Sequence, residues 1–145
     1  MVSKEILIQY TDLQQEVKEL RMQIDNLEKQ IARMEKDGSV RDSVKGGSGG
    51  IQHFIVEGFP VPAYRYKEDQ LRKRRLKLEL REMKLLETLD QLEEFVESIN
   101  DSYIRRIIQL KFILGLTWQQ VADRLGGGNT EFGVKKAFYR YMKKL

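Results

Sequence analysis

Residues 6–34, ILIQYTDLQQEVKELRMQIDNLEKQIARM, carry the pattern that decides the fold of this chain. Apolar residues recur there at alternating spacings of four and three, which is a heptad repeat held for about four heptads. β-Branched residues at the a positions and Leu at the d positions favour a two-stranded coil. The residues predicted to form the oligomerisation seam are Tyr10, Leu13, Val17, Leu20, Ile24, Leu27 and Ile31. We therefore expect a coiled-coil helix over 1–36 that is ended by Gly38.

The next segment, 37–63, breaks the helical pattern. It contains four glycines between positions 46 and 50 and both prolines of the chain, Pro60 and Pro62. These residues oppose a regular helix, and the glycines lack the Gly-Lys-Ser/Thr ending of a phosphate-binding P-loop. We interpret 37–63 as a Gly/Pro-rich hinge or connector.

A second long helix is predicted over 64–99. Its main apolar seam is accompanied by a second stripe on another face, formed by Leu76, Leu80 and Met83. A helix with two partial apolar faces usually contacts two neighbours. Two arrangements stay open: an antiparallel hairpin with the first helix, or a first helix that pairs with a second chain. The unbroken heptad repeat favours the dimer.

Signals for three short helices follow in 100–145. Asn100-Asp101-Ser102 starts the first helix and Gly115 ends it. Thr117 and Gln120 have the spacing of a capping box, which starts a second helix. Ala122 is a small residue at a place where two helices can cross closely. Helices in this order describe a helix-turn-helix.

The last helix follows the glycines at 126–128, and Asn129 or Thr130 can cap it. Residues 101–145 contain nine Lys and Arg against three Asp and Glu, whereas each of the two preceding stretches of 50 residues has one more acid than base. The positive charge therefore lies on the C-terminal third, as expected for a segment that contacts a polyanion. Such a helix can enter the major groove of duplex DNA.

The C-terminal segment resembles the conserved-region-4 helix-turn-helix of bacterial sigma factors. The resemblance is carried by residues 106–112 (RIIQLKF), 115–122 (GLTWQQVA) and 125–126 (LG), and the segment from Val134 to Leu145 is similar to the recognition helix. The whole layout is similar to small phage- and prophage-encoded sigma-like regulators of Gram-positive bacteria, which activate late phage genes. The turn before the last helix is about two residues longer than in that family.

The resemblance implies a sequence-specific DNA-binding transcription regulator, with double-stranded DNA as partner and bacterial RNA polymerase as a second candidate partner. Together with the charge pattern, it predicts DNA contacts by Thr117, Gln119, Asn129, Thr130, Lys135, Lys136, Tyr139, Arg140 and Lys143. The main alternative is the small subunit of a phage terminase, which also joins a helix-turn-helix to a coiled coil. A third possibility is a coiled-coil scaffold for protein interactions.

An enzyme is not expected, because no nucleophile–base pair, paired-acid spacing or metal cluster stands out. The chain has no cysteine and one histidine, so we expect no metal and no cofactor. No apolar run approaches the roughly 20 residues of a membrane span. We expect a homo-oligomer in the bacterial cytoplasm, associated with the nucleoid.

Overall fold

The computed structural model describes residues 3–44 and 61–145, and every regular element in these ranges is a helix. The α-helices are α1 (Ser3–Val44), α2 (Val61–Ser98), α3 (Ser102–Ile108), α4 (Trp118–Leu125) and α5 (Glu131–Lys143). A π-helical turn, Gln109–Ile113, continues α3. The all-α class is confirmed for these residues. None of the described helices is long and apolar enough to cross a membrane.

Two helix boundaries differ from the sequence prediction. Helix α1 continues past Gly38 to Val44, because a glycine in a helix interior costs only about 1 kcal/mol and does not by itself end the helix. Helix α2 begins at Val61 rather than at 64. Pro62 lies in its first turn, where the missing N–H has no helical acceptor to lose. Residues 45–60, most of the predicted connector, lie outside the described residues.

The chain divides into two compact units. One unit consists of Met1–Gln15 together with Glu82–Leu145, and the other consists of Glu16–Arg81. We call them the first and the second unit. In the second unit, α1 and α2 form an antiparallel hairpin, because the start of α2 pairs with a late part of α1 (Lys67 with Gln30) and a later part of α2 pairs with an earlier part of α1 (Arg81 with Glu16). Cross-helix pairs include Lys67 Nζ with Gln30 Oε1 (2.8 Å), Arg74 Nε with Gln23 Oε1 (3.0 Å), Arg75 Nη2 with Glu28 Oε2 (2.7 Å) and Arg81 Nε with Glu16 Oε2 (2.8 Å).

The hairpin covers the α1 seam within the second unit. The side chains of Val17, Leu20, Ile24 and Ile31 are at most 8% exposed, and Leu27 is half-buried. Of the two arrangements left open by the sequence, the single chain adopts the intramolecular one. A dimer through the same seam stays a prediction, and it would require α1 and α2 to separate here.

Truncating the seam should destabilise the hairpin. We expect Ile24→Ala to lower the free energy of unfolding by about 2–3 kcal/mol, because the cavity that it leaves lies between two helices. The measurement is urea denaturation followed by circular dichroism, with the solution mass determined in parallel. Met22→Ala is the matched control, since Met22 lies on the same helix and is 61% exposed. Equal effects of the two substitutions would contradict the packing described here.

The core of the first unit joins the start of α1 and the end of α2 to the three short helices. Its buried residues are Leu7, Tyr10, Leu92, Val96, Ile99, Ile104, Ile107, Ile108, Val121, Ala122, Val134, Phe138 and Met142. Tyr10 is the one residue of this set with a hydroxyl group. Its burial raises the pKa of the phenol above the ordinary value. A side-chain hydrogen bond with Gln14 opposes this shift, and the Glu93 carboxylate adds to it. The short helices therefore share one core, and packing against that core fixes the orientation of each helix.

Candidate nucleic-acid interface

Helix α3 is anchored at its start by two side chains. The Asp101 carboxylate accepts hydrogen bonds from the backbone N–H groups of Tyr103 (2.9 Å) and Ile104 (3.4 Å), which confirms the predicted helix start. The Arg105 guanidinium donates to the Ile99 carbonyl (2.5 Å) and to the Ser102 hydroxyl (2.6 Å). Arg105 is thus used inside the chain and fixes the junction between α2 and α3.

The π-helical turn and a glycine direct the chain from α3 into α4. The Leu114 N–H donates to the Gln109 carbonyl over five residues (2.9 Å), and the Leu116 N–H donates to the Leu110 carbonyl (3.1 Å). Gly115 has a φ of +73°, a left-handed conformation that glycine adopts without steric cost. The predicted helix end at Gly115 is therefore confirmed.

Helix α4 starts with the predicted capping box. The Gln120 N–H donates to Thr117 Oγ1 (3.2 Å), and the Thr117 N–H donates to Gln120 Oε1 (2.9 Å). Val121 and Ala122 are buried in the core, and α4 packs against both α5 and the π-helical turn. The small side chain of Ala122 lies in the shared core.

The turn between α4 and α5 is tied back to α3. Gly126, Gly127 and Gly128 all have positive φ (+69°, +55° and +83°), so three consecutive residues take a conformation that L-residues rarely adopt. Asn129 Nδ2 donates to the Gly126 carbonyl (2.6 Å), and the Tyr103 hydroxyl donates to Asn129 Oδ1 (2.7 Å). These bonds hold the Asn129 amide in one orientation and use one of its two N–H hydrogens and one of its two oxygen lone pairs, so the second N–H can still be donated to DNA.

Thr130 is the residue that caps α5. Its Oγ1 accepts a hydrogen bond from the Gly133 N–H (3.1 Å). A Cβ at position 133 would lie 3.1 Å from the same oxygen, which is tighter than ordinary van der Waals contact. The glycine that weakens the helical preference of this segment thus leaves room for the capping hydroxyl.

The inner side of α5 is fixed by apolar packing. Val134, Phe138 and Met142 are 0%, 4% and 7% exposed, and Tyr141 beside them is half-buried. The Phe138 ring lies 5.3 Å from Phe112 and 5.6 Å from Trp118, measured between ring centroids. These rings join α5 to the π-helical turn and to α4, and they set the side that α5 turns toward solvent.

The solvent side carries cations and two aromatic rings. We call the exposed residues Phe132, Lys136, Tyr139, Arg140 and Lys143 the outer face of α5. Four of them, at 132, 136, 139 and 143, have spacings of four, three and four, which places them along one side of a helix. In the part of the chain that the structure describes, no salt bridge involves the three cations of this face.

The remaining predicted contact residues lie in α4, at or beside the helix caps, or in α5 outside this face. Thr117 and Thr130 are exposed and serve as helix caps. Gln119 is exposed and donates to Asp123 Oδ1 (3.0 Å). Lys135 is half-buried, with its Nζ 4.0 Å from Glu131 Oε2. Phe132 was not among the predicted contacts, although the helical spacing from Lys136 would have indicated it.

Within the described ranges, no group of three or more His, Asp or Glu residues is placed to hold a metal ion. No protein-family model, no curated protein and no solved structure matches this chain.

Proposed function

We propose that α3–α5 form a helix-turn-helix domain and that the protein is a sequence-specific DNA-binding transcription regulator. Helix α5 is the recognition helix, and its outer face lies in the major groove of the duplex. The observation that carries this proposal is the two-sided character of α5, with Val134, Phe138 and Met142 buried and Lys136, Arg140 and Lys143 exposed.

Electrostatics supports DNA as the partner. Residues 101–145 carry nine Lys and Arg against three Asp and Glu, which gives this segment a positive potential, and cations clustered on one face of a helix are typical of a nucleic-acid-binding surface. The three cations of the outer face have long side chains that can reach phosphates on both walls of the groove. They supply affinity, and residues at the start of the helix reach base edges.

The caps of α4 and α5 are suited to positioning contacts. In Thr117 and Thr130 the hydroxyl oxygen accepts a backbone hydrogen bond, which leaves the hydroxyl proton free to be donated to a phosphate oxygen. Lys135 contributes charge beside them despite its proximity to Glu131. These contacts set the register of the protein on the duplex and carry no sequence information themselves.

The role in transcription rests on the resemblance of the C-terminal segment to sigma region 4. Regulators of that layout bind promoters, so we propose a promoter site as the DNA target and RNA polymerase as the second partner. Self-association through the α1 seam is a separate proposal, which the solution mass of the full chain tests.

The test of DNA binding is the salt dependence of affinity. With about four to six phosphates neutralised per domain, the logarithm of the association constant should fall against log salt with a slope of roughly −3.6 to −5.4. The measurement is fluorescence anisotropy of a labelled duplex titrated with the full chain at several salt concentrations. Absence of binding at low salt, or a slope near zero, would overturn the proposal.

A further inference from the structure

Phe132 is the most exposed large hydrophobic side chain among the described residues, at 73%. It lies in the first turn of α5, directly after Glu131 and two residues from the capping Thr130. Burying a Phe side chain contributes about 1.5–3 kcal/mol relative to leaving it in water. The fold gains almost none of this at position 132, although Phe138 on the same helix is buried.

The surroundings of Phe132 are cationic. Lys136 Nζ lies 5.7 Å from the centre of the Phe132 ring, within the range of a cation–π contact. No other aromatic ring lies against Phe132 in the described part of the chain. Tyr139 and Lys143 continue the same side of the helix. The ring is therefore an apolar group at the leading end of a face that carries Lys136 and Lys143, and a polyanion with an apolar group within reach would complement both features.

We propose that Phe132 contacts the 5-methyl group of a thymine in the major groove and thereby determines specificity at one base pair. This inference rests on the DNA binding proposed above. The first residues of a recognition helix reach base edges, and a phenyl ring can neither donate nor accept the hydrogen bonds that distinguish most bases. The thymine methyl is the one apolar group among the base edges of the major groove, so it is the feature that this side chain can read.

The contact can be tested by removing the methyl group from the DNA and the ring from the protein. The probe is the duplex that the full chain binds most tightly among randomised duplexes of about 20 base pairs. Each thymine is replaced in turn by deoxyuridine, which lacks only the 5-methyl group. We expect the affinity of the wild type to fall about fourfold at one position, the effect of about one buried methyl group, and to change little at the others.

Phe132→Ala completes the comparison. The variant should bind the thymine duplex about fourfold more weakly, with no further loss on the deoxyuridine duplex, because the two changes remove the same contact. Lys143→Ala is the matched control on the same face. It should weaken binding to both duplexes equally and reduce the salt slope by about one unit, and it should leave the thymine preference intact.

The outcomes separate this inference from the proposed function. If the chain selects a sequence but no thymine is sensitive to loss of its methyl group, or if Phe132→Ala keeps that sensitivity, the thymine contact is wrong and DNA binding stands. If no sequence is selected and duplex DNA is not bound, both proposals fall. Circular dichroism verifies that Phe132→Ala keeps its helix content, as expected for an exposed position.

Discussion

Replacing Phe138 by alanine is expected to lower the free energy of unfolding by about 3–5 kcal/mol, the usual cost of truncating a buried aromatic side chain. Phe138 is 4% exposed, and its ring contacts Phe112 and Trp118 at 5.3 and 5.6 Å between centroids. The substitution removes the ring that joins α5 to the π-helical turn and to α4. Because Phe138 is one of the three buried residues that hold α5 on the core, the substitution should also loosen the orientation of the helix.

The measurement is urea denaturation of the full chain followed by far-ultraviolet circular dichroism. Phe132→Ala is the control, since it removes the same side chain from the same helix at a position that is 73% exposed. Its effect should stay within about 0.5 kcal/mol. A Phe138→Ala variant as stable as the Phe132→Ala variant would mean that α5 does not pack in the way described.

Reversing two charges on the outer face of α5 should nearly abolish DNA binding. In the double variant Lys136→Glu and Arg140→Glu, two charge-assisted contacts with phosphates are lost. At about 1.5 kcal/mol or more for each, the affinity should fall roughly 100-fold or further. Both side chains are exposed and lie outside the apolar packing, so the thermal unfolding transition should change little. Duplex titration at fixed salt measures the effect.

A control with the same change of net charge separates local contacts from the general electrostatic field. Lys18 and Lys36 are exposed on α1, and Lys18→Glu with Lys36→Glu alters the total charge equally. This variant should lose only a few-fold in affinity, because neither lysine belongs to the outer face of α5 and a general electrostatic field is screened by salt more strongly than direct contacts with phosphates. Similar losses in the two double variants would indicate binding without a defined face.

The helix boundaries that could be predicted from the sequence are those determined by neighbouring residues. The capping box of Thr117 and Gln120, the end at Gly115 and the cap at Thr130 involve residues within four positions of each other, so local rules suffice. Where the local penalty is small, as at Gly38, the helix continues, because a single glycine is outweighed by the favourable residues around it.

Features that depend on distant residues could not be predicted. The heptad repeat of α1 indicates an apolar stripe but not what covers it, and the hairpin pairs, such as Arg81 with Glu16, join residues far apart in the chain. The same holds for Asn129, whose amide accepts a hydrogen bond from Tyr103 across 26 positions. For Phe132 the helical spacing from Lys136 was visible in the sequence, but an apolar ring is not a residue type that usually indicates contact with a polyanion.

Trp118 makes the junction of α4 and α5 observable by optical spectroscopy. It is the only tryptophan of the chain, its ring centroid lies 6.2 Å from that of Tyr139, and Lys111 Nζ lies 5.0 Å from the indole centre. Intrinsic emission excited at the red edge of the absorption band therefore originates at this one place. A red shift of the emission maximum during denaturation reports that the indole has entered water, so the opening of this junction can be timed without attaching a dye.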